Sequence, residues 1–587
     1  MATYTSTVGN QTLSGGAVND TYQYPLGTGL DLITDTGGTD TLLLSDPNSK
    51  YVGWDIYRSG ASLVFDFFGA GKVTITGQFA SSLTATVLPS TRIESLTFDD
   101  DWGPFTIRNG LIGTSTNDLI VGTALADAIS GGLGDDFIWG GGGNDTINGG
   151  DGENEMHGGA GNDSIIGGVA KDDFYGGTGS DVLVGDAGYD TVYYEDQSAG
   201  VFANLSGLNQ AYDNRLFTSG KVYETVSKAT DTLSSIEQFY GTRYADYVIV
   251  GRTDNSTEIN LGQGNDTVVG GVISNTYWAN VGYWDDPAGI IVNMSNQALA
   301  ATLGGKTYYV GRNTVRDGWG STDTYITTDE SLSISGSNFA DYIRGRDDTD
   351  ADHVYESFAG SRGNDTIDGG TGSDSVGYGA DESDSLYGVI VNLSAASITV
   401  SGIAVAASTA RDNWRGIDTL KNIENVYGSH LGDYILGSAS NNLSLSGSDG
   451  NDTINGGAGN DGLNGDNGND LLIGGVGRDW LNGGAGSDTF DFNALSELGL
   501  SSTRDVISGW NAGDVIDLRT IDWNTGTAGD QAFTYLGSGA LTATAGQVRY
   551  ASGVLQFNTD TDTAAEYEIV ITGTPPAGLT AGTSLLL

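Results

Sequence analysis

Apolar residues recur at intervals of nine between residues 113 and 193: Ile120, Ile129, Ile138, Ile147, Met156, Ile165, Phe174, Leu183 and Val192. Each takes the eighth place of a unit that opens on glycine, from Gly113 to Gly185, and carries an acid or amide in sixth place. The sixth-place residues are Asp118, Asp127, Asp136, Asp145, Asn154, Asp163, Asp172, Asp181 and Asp190. A compositional bias toward Gly and Asp would not hold this phase through nine consecutive units. In copies such as Gly140-Gly-Gly-Gly-Asn-Asp-Thr-Ile-Asn148, the glycines admit positive φ, so the first six residues form a turn. The last three form a short strand with one inward side chain, because side chains alternate across a strand. The pattern predicts an all-β solenoid that stacks its eighth-place residues into a core.

The unit returns in seven copies from Gly428 to Asp491, with Ser446 as an extra residue that breaks phase and Asp452, Asp461, Asp470, Asp479 and Asp488 in the last five. Two copies between Gly360 and Gly377 carry Asp365 and Asp374, and single degenerate copies surround Asp246, Asp266 and Asp341. Between the arrays a longer repeat runs three times. It is marked by Asn204, Asn293 and Asn392, each followed by Leu-Ser or Met-Ser, and by Asp231-Thr-Leu and Asp418-Thr-Leu. Its segments alternate β-branched and polar residues as strands do, and each hands over to a nonapeptide. They are expected to continue the solenoid with outward insertions. The first hundred residues follow another rhythm, with Leu63–Phe68, Lys72–Thr76 and Ile93–Phe98 separated by glycine-rich or polar turns. The expected organisation is a small N-terminal β domain for anchoring or assembly over 1–110, a first roll over 111–194 and a three-part spacer region over 195–427. A second roll follows over 428–491 and a C-terminal cap over 492–587.

One inward residue in nine is a thin core. Stacked coils would bring equivalent aspartates to roughly 5 Å, the strand spacing. There, neighbouring charges repel by about 1 kcal/mol in water and about 3–4 kcal/mol at an effective dielectric near 20. A hard cation relieves this, and calcium takes six to eight oxygens from carboxylates and backbone carbonyls. The candidate ligands are Asp118, Asp127, Asp136, Asp145, Asp163, Asp172, Asp181, Asp190, Asp266, Asp365, Asp374, Asp452, Asp461, Asp470, Asp479 and Asp488. Neutral Asn154 departs from the set, so sites that it shares should be weaker. For the isolated copies a plain Gly-Asn-Asp turn is the competing reading.

Charge points the same way. With 24 basic and 75 acidic residues the net charge is −51, which argues against nucleic acid or an anionic membrane as partner and favours divalent cations. The absence of cysteine excludes disulfides and thiolate metal sites. No apolar run is long enough to span a bilayer, and Met1–Val8 lacks the features of a cleaved secretory signal. Taken alone, that start reads as cytoplasmic. Calcium modules that bind at about 0.1–1 mM work outside cells.

Catalytic signatures are scarce. His157, His353 and His430 form no H-E-x-x-H, and neither G-x-S-x-G nor a phosphate loop ending in Lys-Ser or Lys-Thr occurs. Asp348, Asp350 and Asp352 mimic the start of an EF-hand, but His353 stands where its glycine belongs, which favours a surface acidic loop. Asn558, Asp560 and Asp562 alternate as an ion site or a solvated turn would. Tyr277-Trp278, Tyr283-Trp284 and Trp319 cluster in the insertions, where packing and a contact surface for neighbours or sugars are both open readings.

The unit G-G-x-G-x-D-x-U-x is the signature of calcium-binding β-rolls, and on it the chain resembles the repeats-in-toxin (RTX) family. The resemblance implies a right-handed parallel β-roll with two nonapeptides per turn and calcium between loops on one edge. Asp145 would then share ions with Asp163, and Asp163 with Asp181. It also implies type I secretion directed by an uncleaved C-terminal signal. From Thr489 on, Asp505-Val-Ile-Ser-Gly-Trp and Asp514-Val-Ile-Asp-Leu518 resemble the C-terminal part of the serralysin-type tail, which caps the roll. Repeats and spacers fill nearly everything after residue 110. The expectation is therefore a secreted structural protein rather than an enzyme, similar to calcium-dependent surface-layer proteins of Gram-negative bacteria. Its partners would be calcium, further copies of itself and, as a further candidate, cell-surface polysaccharide. A monomeric adhesin or biofilm-matrix protein is the alternative, and a polysaccharide hydrolase or lyase within 195–427 is a second.

Overall fold

The computed structural model describes residues 2–6, 10–25, 29–35, 40–45, 55–59, 62–67, 71–75, 78, 95–98, 105–108, 111–206, 209–212, 215–250, 257–270, 279–326, 333–347, 356–379, 387–524, 531–572 and 578–587. It divides into two compact units, residues 1–279 with 326–328 and residues 280–325 with 329–587. The EF-hand-like stretch at 348–353 and Tyr277-Trp278 lie outside the described residues.

In the first unit the nonapeptides form parallel strands paired at a spacing of 18, so two units make one coil. On one sheet Ile120, Ile138, Met156, Phe174 and Val192 stand opposite one another in turn. On the other, Ile129, Ile147, Ile165 and Leu183 do the same. All nine are buried, as the eighth-place pattern predicts. This is a parallel β-roll. The ninth places of one sheet carry Trp139, His157, Tyr175, Tyr193 and Tyr240, stacked ring on ring at 3.8, 4.2, 4.7 and 4.6 Å. That ladder adds aromatic contact along the coil axis on a face that the thin core cannot reach.

Part of the N-terminal segment follows the same parallel plan, while Ser62–Phe67 pairs antiparallel with both Asp55–Ser59 and Gly71–Ile75. Thr3–Thr5, Thr21–Pro25, Thr41–Ser45 and Ser95–Phe98 run parallel in one sheet. Thr12–Ser14, Gly29–Thr34 and Gly71–Ile75 run parallel in another. Phe105–Ile107 then pairs in parallel with Asp118–Val121, and the buried Tyr22, Leu42 and Phe105 share one apolar cluster with Phe137 and Trp139.

Spacers leave the roll and return to it. After Thr191–Tyr193 the first one forms Val201–Asn204, which pairs antiparallel with Lys221–Glu224; that strand pairs in turn with Thr230–Ser234. Thr230–Ser234 resumes the coil, setting Leu233 opposite Leu183, and Gln238–Tyr240 sets Phe239 opposite Val192. Expected outward insertions are present as two-stranded hairpins at Gln210–Tyr212 with Arg215–Phe217, Leu299–Leu303 with Lys306–Val310 and Ile398–Val400 with Ile403–Val405. The last two turn on Gly304-Gly305 and Ser401-Gly402, all at positive φ, as tight hairpins require.

In the second unit Val376, Val426, Leu445, Leu463, Leu481 and Ile507 form one column, and Ile435, Ile454, Leu472, Phe490 and Ile516 another. Here the structure corrects the phase. Ser446 is an ordinary ninth-place residue opposite Asn464, so the additional residue falls between Asn442 and Leu445, where Leu443 points outward. The C-terminal meander Gln547–Ala551, Val554–Asn558 and Tyr567–Ile571 lays its last strand along Asp505–Ser508, and Leu585–Leu586 lies along Val515–Asp517. Both sheets thus end against a covering strand, which protects edges that would otherwise invite pairing.

Glycine identity matters unequally along a turn. Gly161 sits at φ 149°, where an added Cβ would fall on the carbonyl oxygen of Gly143. Gly142 has an ordinary φ, and its nearest neighbour would lie 3.7 Å away. Gly161→Ala should therefore destabilise the calcium-loaded protein by about 1–3 kcal/mol, whereas Gly142→Ala should leave its calorimetric melting temperature unchanged. Equal responses would contradict the turn geometry.

Candidate calcium centres

Each sixth-place side chain ties its coil to the one before. The backbone N–H of Asp127 donates to Asp145 Oδ1 at 2.8 Å, that of Asp145 to Asp163 Oδ1 at 2.7 Å, and that of Asp163 to Asp181 Oδ1 at 2.8 Å. The opposite edge repeats this from Asp118 through Asp136, Asn154 and Asp172 to Asp190, at 2.8–3.0 Å. In the second array Asp433, Asp452, Asp470 and Asp488 form one row, and Asn442, Asp461 and Asp479 the other. One carboxylate oxygen per residue is thus committed to the backbone.

The second oxygen is the candidate metal donor. Oδ2 of Asp136, Asp145, Asp163, Asp172, Asp181, Asp190, Asp365, Asp452, Asp461, Asp470, Asp479 and Asp488 is buried without a hydrogen-bond partner, and Asp374 has two such oxygens. A buried, unpaired ionised carboxylate is among the most costly groups a protein can hold. Beside each Oδ2 lies a glycine whose missing Cβ leaves room: a methyl on Gly140 would meet Asp145 Oδ2 at 2.7 Å and Gly158 O at 2.5 Å. Gly158 meets Asp163 Oδ2 and Gly176 O at the same distances. A carboxylate oxygen and a carbonyl oxygen converging on a glycine is the donor set that calcium selects. These aspartates with the glycine carbonyls would hold the ions, and bound calcium would supply the charge that neutralises the rows.

Burial, more than mutual repulsion, pushes the acids toward their neutral form. It raises Asp136, Asp190, Asp452 and Asp461 to about 7, Asp145, Asp172, Asp470 and Asp479 to about 6, and Asp181 to about 8. Backbone N–H bonds to Oδ1 oppose the rise without cancelling it.

The rungs are of two kinds, which the backbone at the second place of the turn separates. Where it lies at positive φ, as at Gly141, Gly159, Asp186, Ser361, Ser448 and Asp466, Oδ2 has no partner. At Asp118 and Asp127 the second place is threonine, and Oδ2 accepts both the N–H and the hydroxyl of Thr114 or Thr123 at 2.6–2.9 Å. Asp118 also faces Arg108 at 3.4 Å. In these two predicted ligands Oδ2, the oxygen left unpaired in other turns, is thus taken by the residue's own turn, while Asp118 Oδ1 has no hydrogen bond and only the Arg108 charge beside it. Ser429 caps Asp433 and Thr242 caps Asp246 with the N–H donating to Oδ2 and the hydroxyl to Oδ1. At Asn154 an amide replaces the acid: Nδ2 donates to Gly152 O and to Asp172 Oδ1, both at 2.9 Å, so a donor stands where other turns present an acceptor. Asp266 accepts the Asp246 N–H at 2.7 Å on Oδ1.

Several rungs escaped the nonapeptide reading. The Asp181 N–H reaches Asp231, that of Asp365 reaches Asp418, and those of Asp479 and Asp488 reach Asp505 and Asp514. Glu237 and Glu424 take the same role for Asp190 and Asp374. The signal lay in the triplet Asp-Thr-apolar, shared by Asp145-Thr-Ile, Asp231-Thr-Leu and Asp418-Thr-Leu without the glycine-rich lead. At the N-terminus Asp20, Asp35 and Asp40 are all buried with ligand atoms within 4.8 Å of one another, and the Asp20 N–H donates to Asp40 Oδ1. Asp560, Asp562 and Glu566 form a second such group, more exposed, with Asp560 N–H donating to Asn558 Oδ1 at 2.9 Å.

Two expectations follow. An aspartate with an ordinary value of 3.8 when unfolded and about 6–8 when folded binds a proton on folding, so metal-free stability is greatest below 3.8 and falls as pH rises through 6–8. Circular dichroism in chelator should show more β signal near pH 4 than at pH 8, and the calcium needed for folding should rise as pH drops below about 7; a chelator-insensitive signal at pH 8 would contradict the assignment. Asp163→Ala, which removes a ligand and a rung, should raise the calcium midpoint about tenfold, equivalent to about 1.4 kcal/mol. Asn154→Ala should shift it far less, and equal shifts would refute the division between the two turns.

A family model for the RTX calcium-binding nonapeptide repeat (4 copies) matches residues 112–147, 148–183, 175–193, 356–383, 431–463, 444–472 and 464–494. No curated protein matches the chain. The matched segments coincide with the coils whose aspartate Oδ2 atoms and glycine carbonyls converge. The chain carries RTX calcium-binding nonapeptide repeats, which bind calcium in multiple copies.

Proposed function

We propose that this is a secreted, extracellular structural protein that uses calcium to become rigid and then associates with copies of itself into a surface layer or filament, without enzymatic activity of its own. The observation that carries the reading is the three equivalent hairpins, one per spacer, each a two-stranded sheet of its own. A two-stranded sheet keeps two open edges, and an open edge is a template for pairing with another chain. The hairpin Leu299–Leu303 with Lys306–Val310 presents Tyr309 at 86% exposure, and Trp319 of the same spacer is also exposed. Exposed aromatics on a regularly repeated projection suit a repeated contact. The acidic surface, with a net charge of −51, would repel other copies until calcium screens or bridges it. Among the described residues no helix is long and apolar enough to cross a membrane.

Electron microscopy of the purified chain should show dispersed particles in chelator and ordered sheets or filaments after millimolar calcium is added. Tyr309→Asp, at a site that supports no core, should weaken assembly while leaving the calcium-induced β signal intact. Dispersed particles at high protein concentration in calcium would instead favour a monomeric adhesin or matrix protein, and turnover on a polysaccharide panel would favour an enzyme in 195–427.

A further inference from the structure

The calcium rows meet a difficulty wherever a spacer is inserted. Within the arrays many turns that hold Oδ2 also receive a glycine carbonyl from the next coil, as at Gly140, Gly158, Gly456 and Gly465, although at Gly447 and Gly474 the nearest atoms are the aspartate's own. At Gly176 and Gly360, which open the Asp181 and Asp365 turns just before the first and third spacers, the three nearest atoms all belong to the turn's own aspartate. The next rung comes from beyond the insertion, Asp231 in one case and Asp418 in the other, and its second oxygen is taken. Tyr194 donates its hydroxyl to Asp231 Oδ2 at 2.9 Å, and Tyr378 donates to Asp418 Oδ2 at 3.3 Å.

A different acid stands at each position. Glu224 lies seven residues before Asp231, and Asp412 six residues before Asp418. Both are more than nine-tenths buried, at 7% and 1% exposure. Glu224 Oε1 and Asp412 Oδ2 have no hydrogen-bond partner, and neither do Asp181 Oδ2 and Asp365 Oδ2. The other oxygen of each spacer acid is used locally: Ser227 donates to Glu224 Oε2, and the N–H groups of Trp414 and Gly416 donate to Asp412 Oδ1 at 2.9 and 2.6 Å. Asp412 Oδ2 and the carbonyl oxygen of Gly363 converge on Gly416, the same carboxylate, carbonyl and glycine combination as in the arrays. Glu224 and Asp231 lie close enough to Asp181, and Asp412 and Asp418 to Asp365, for their charges to act on it. Among the described residues no lysine or arginine forms an ion pair with any of the four. In the second spacer Asp317, fully buried and six residues before Asp323, also keeps Oδ2 without a hydrogen bond, while Tyr283 donates to Asp323 Oδ2 at 3.0 Å.

We infer that Asp181 Oδ2 with Glu224 Oε1, and Asp365 Oδ2 with Asp412 Oδ2, each hold a calcium ion at the mouth of a spacer. There the spacer acid replaces the glycine carbonyl of the displaced coil, and the tyrosine closes the rung that no longer faces an ion. The inference rests on the calcium reading of the nonapeptides and is independent of assembly.

The test is an anomalous difference map from crystals of the calcium-loaded full chain. Peaks within about 2.3–2.6 Å of Glu224 Oε1 and of Asp412 Oδ2 are expected. Peaks along the arrays with none at these two acids would overturn the inference and leave the array reading intact; a map without array peaks would overturn both. In solution, equilibrium dialysis should count two fewer ions per chain for the Glu224→Gln, Asp412→Asn double variant, whose β signal in millimolar calcium should match the parent. An unchanged count would equally overturn the inference, and should the double variant fail to fold, the map of the parent chain decides alone.

Discussion

Carboxylates stacked out of water, one coil above another, are the constraint to which everything else in this protein answers. At the strand spacing such a row repels itself by several kcal/mol per step at an effective dielectric near 20, and each buried acid also loses hydration. The chain divides the task between two oxygens. Oδ1 accepts a backbone N–H from the preceding coil, which fixes the register, and Oδ2 is turned toward a glycine and a carbonyl. A fold arranged in this way is incomplete as polypeptide alone. The apolar column supplies one residue per strand, too little to offset the charge, so a cation becomes part of the core in the way that a side chain is elsewhere.

Much of this was legible in the sequence. The eighth-place apolar residues set the sheets and their 18-residue pairing, and the sixth-place acids set the edges of the coil. What escaped was context that a nine-residue window does not contain. Thr114 and Thr123 look like harmless replacements for glycine, yet their N–H and hydroxyl groups occupy the Oδ2 atoms of Asp118 and Asp127 that other turns leave unpaired. In the second array the glycine spacing alone points to Ser446 as the additional residue, whereas the coil absorbs it earlier, at the exposed Leu443. Asp231 and Asp418 lack the glycine-rich lead because the carbonyls it supplies are not used at those rungs. At the N-terminus, Thr3–Thr5, Thr21–Pro25, Thr41–Ser45 and Ser95–Phe98 share the parallel pairing and even the carboxylate-to-amide rung of Asp20 and Asp40, whereas Ser62–Phe67 pairs antiparallel on both sides.

Local chemistry also grades the rungs. Threonine- or serine-capped acids such as Asp246 and Asp433 are satisfied by protein groups alone, glycine-flanked acids such as Asp145 and Asp470 are not, and Asn154 substitutes a donor for the cation. The capped rungs stand at the start of arrays and beside spacers, so segments able to hold their shape without metal frame those that cannot. Calcium then acts on prepared flanks, which favours cooperative ordering over a gradual response.

The spacers show how loosely this architecture is bound to its own length. The Asp163 N–H reaches a rung 18 residues ahead, the Asp181 N–H one 50 ahead and the Asp365 N–H one 53 ahead, at nearly the same distance. The ladder counts turns and is indifferent to the number of residues between them. A lineage carrying such a scaffold could lengthen, trim or exchange its outward loops by small steps without ever passing through an unfoldable intermediate, and surface variation would be separated from structural risk.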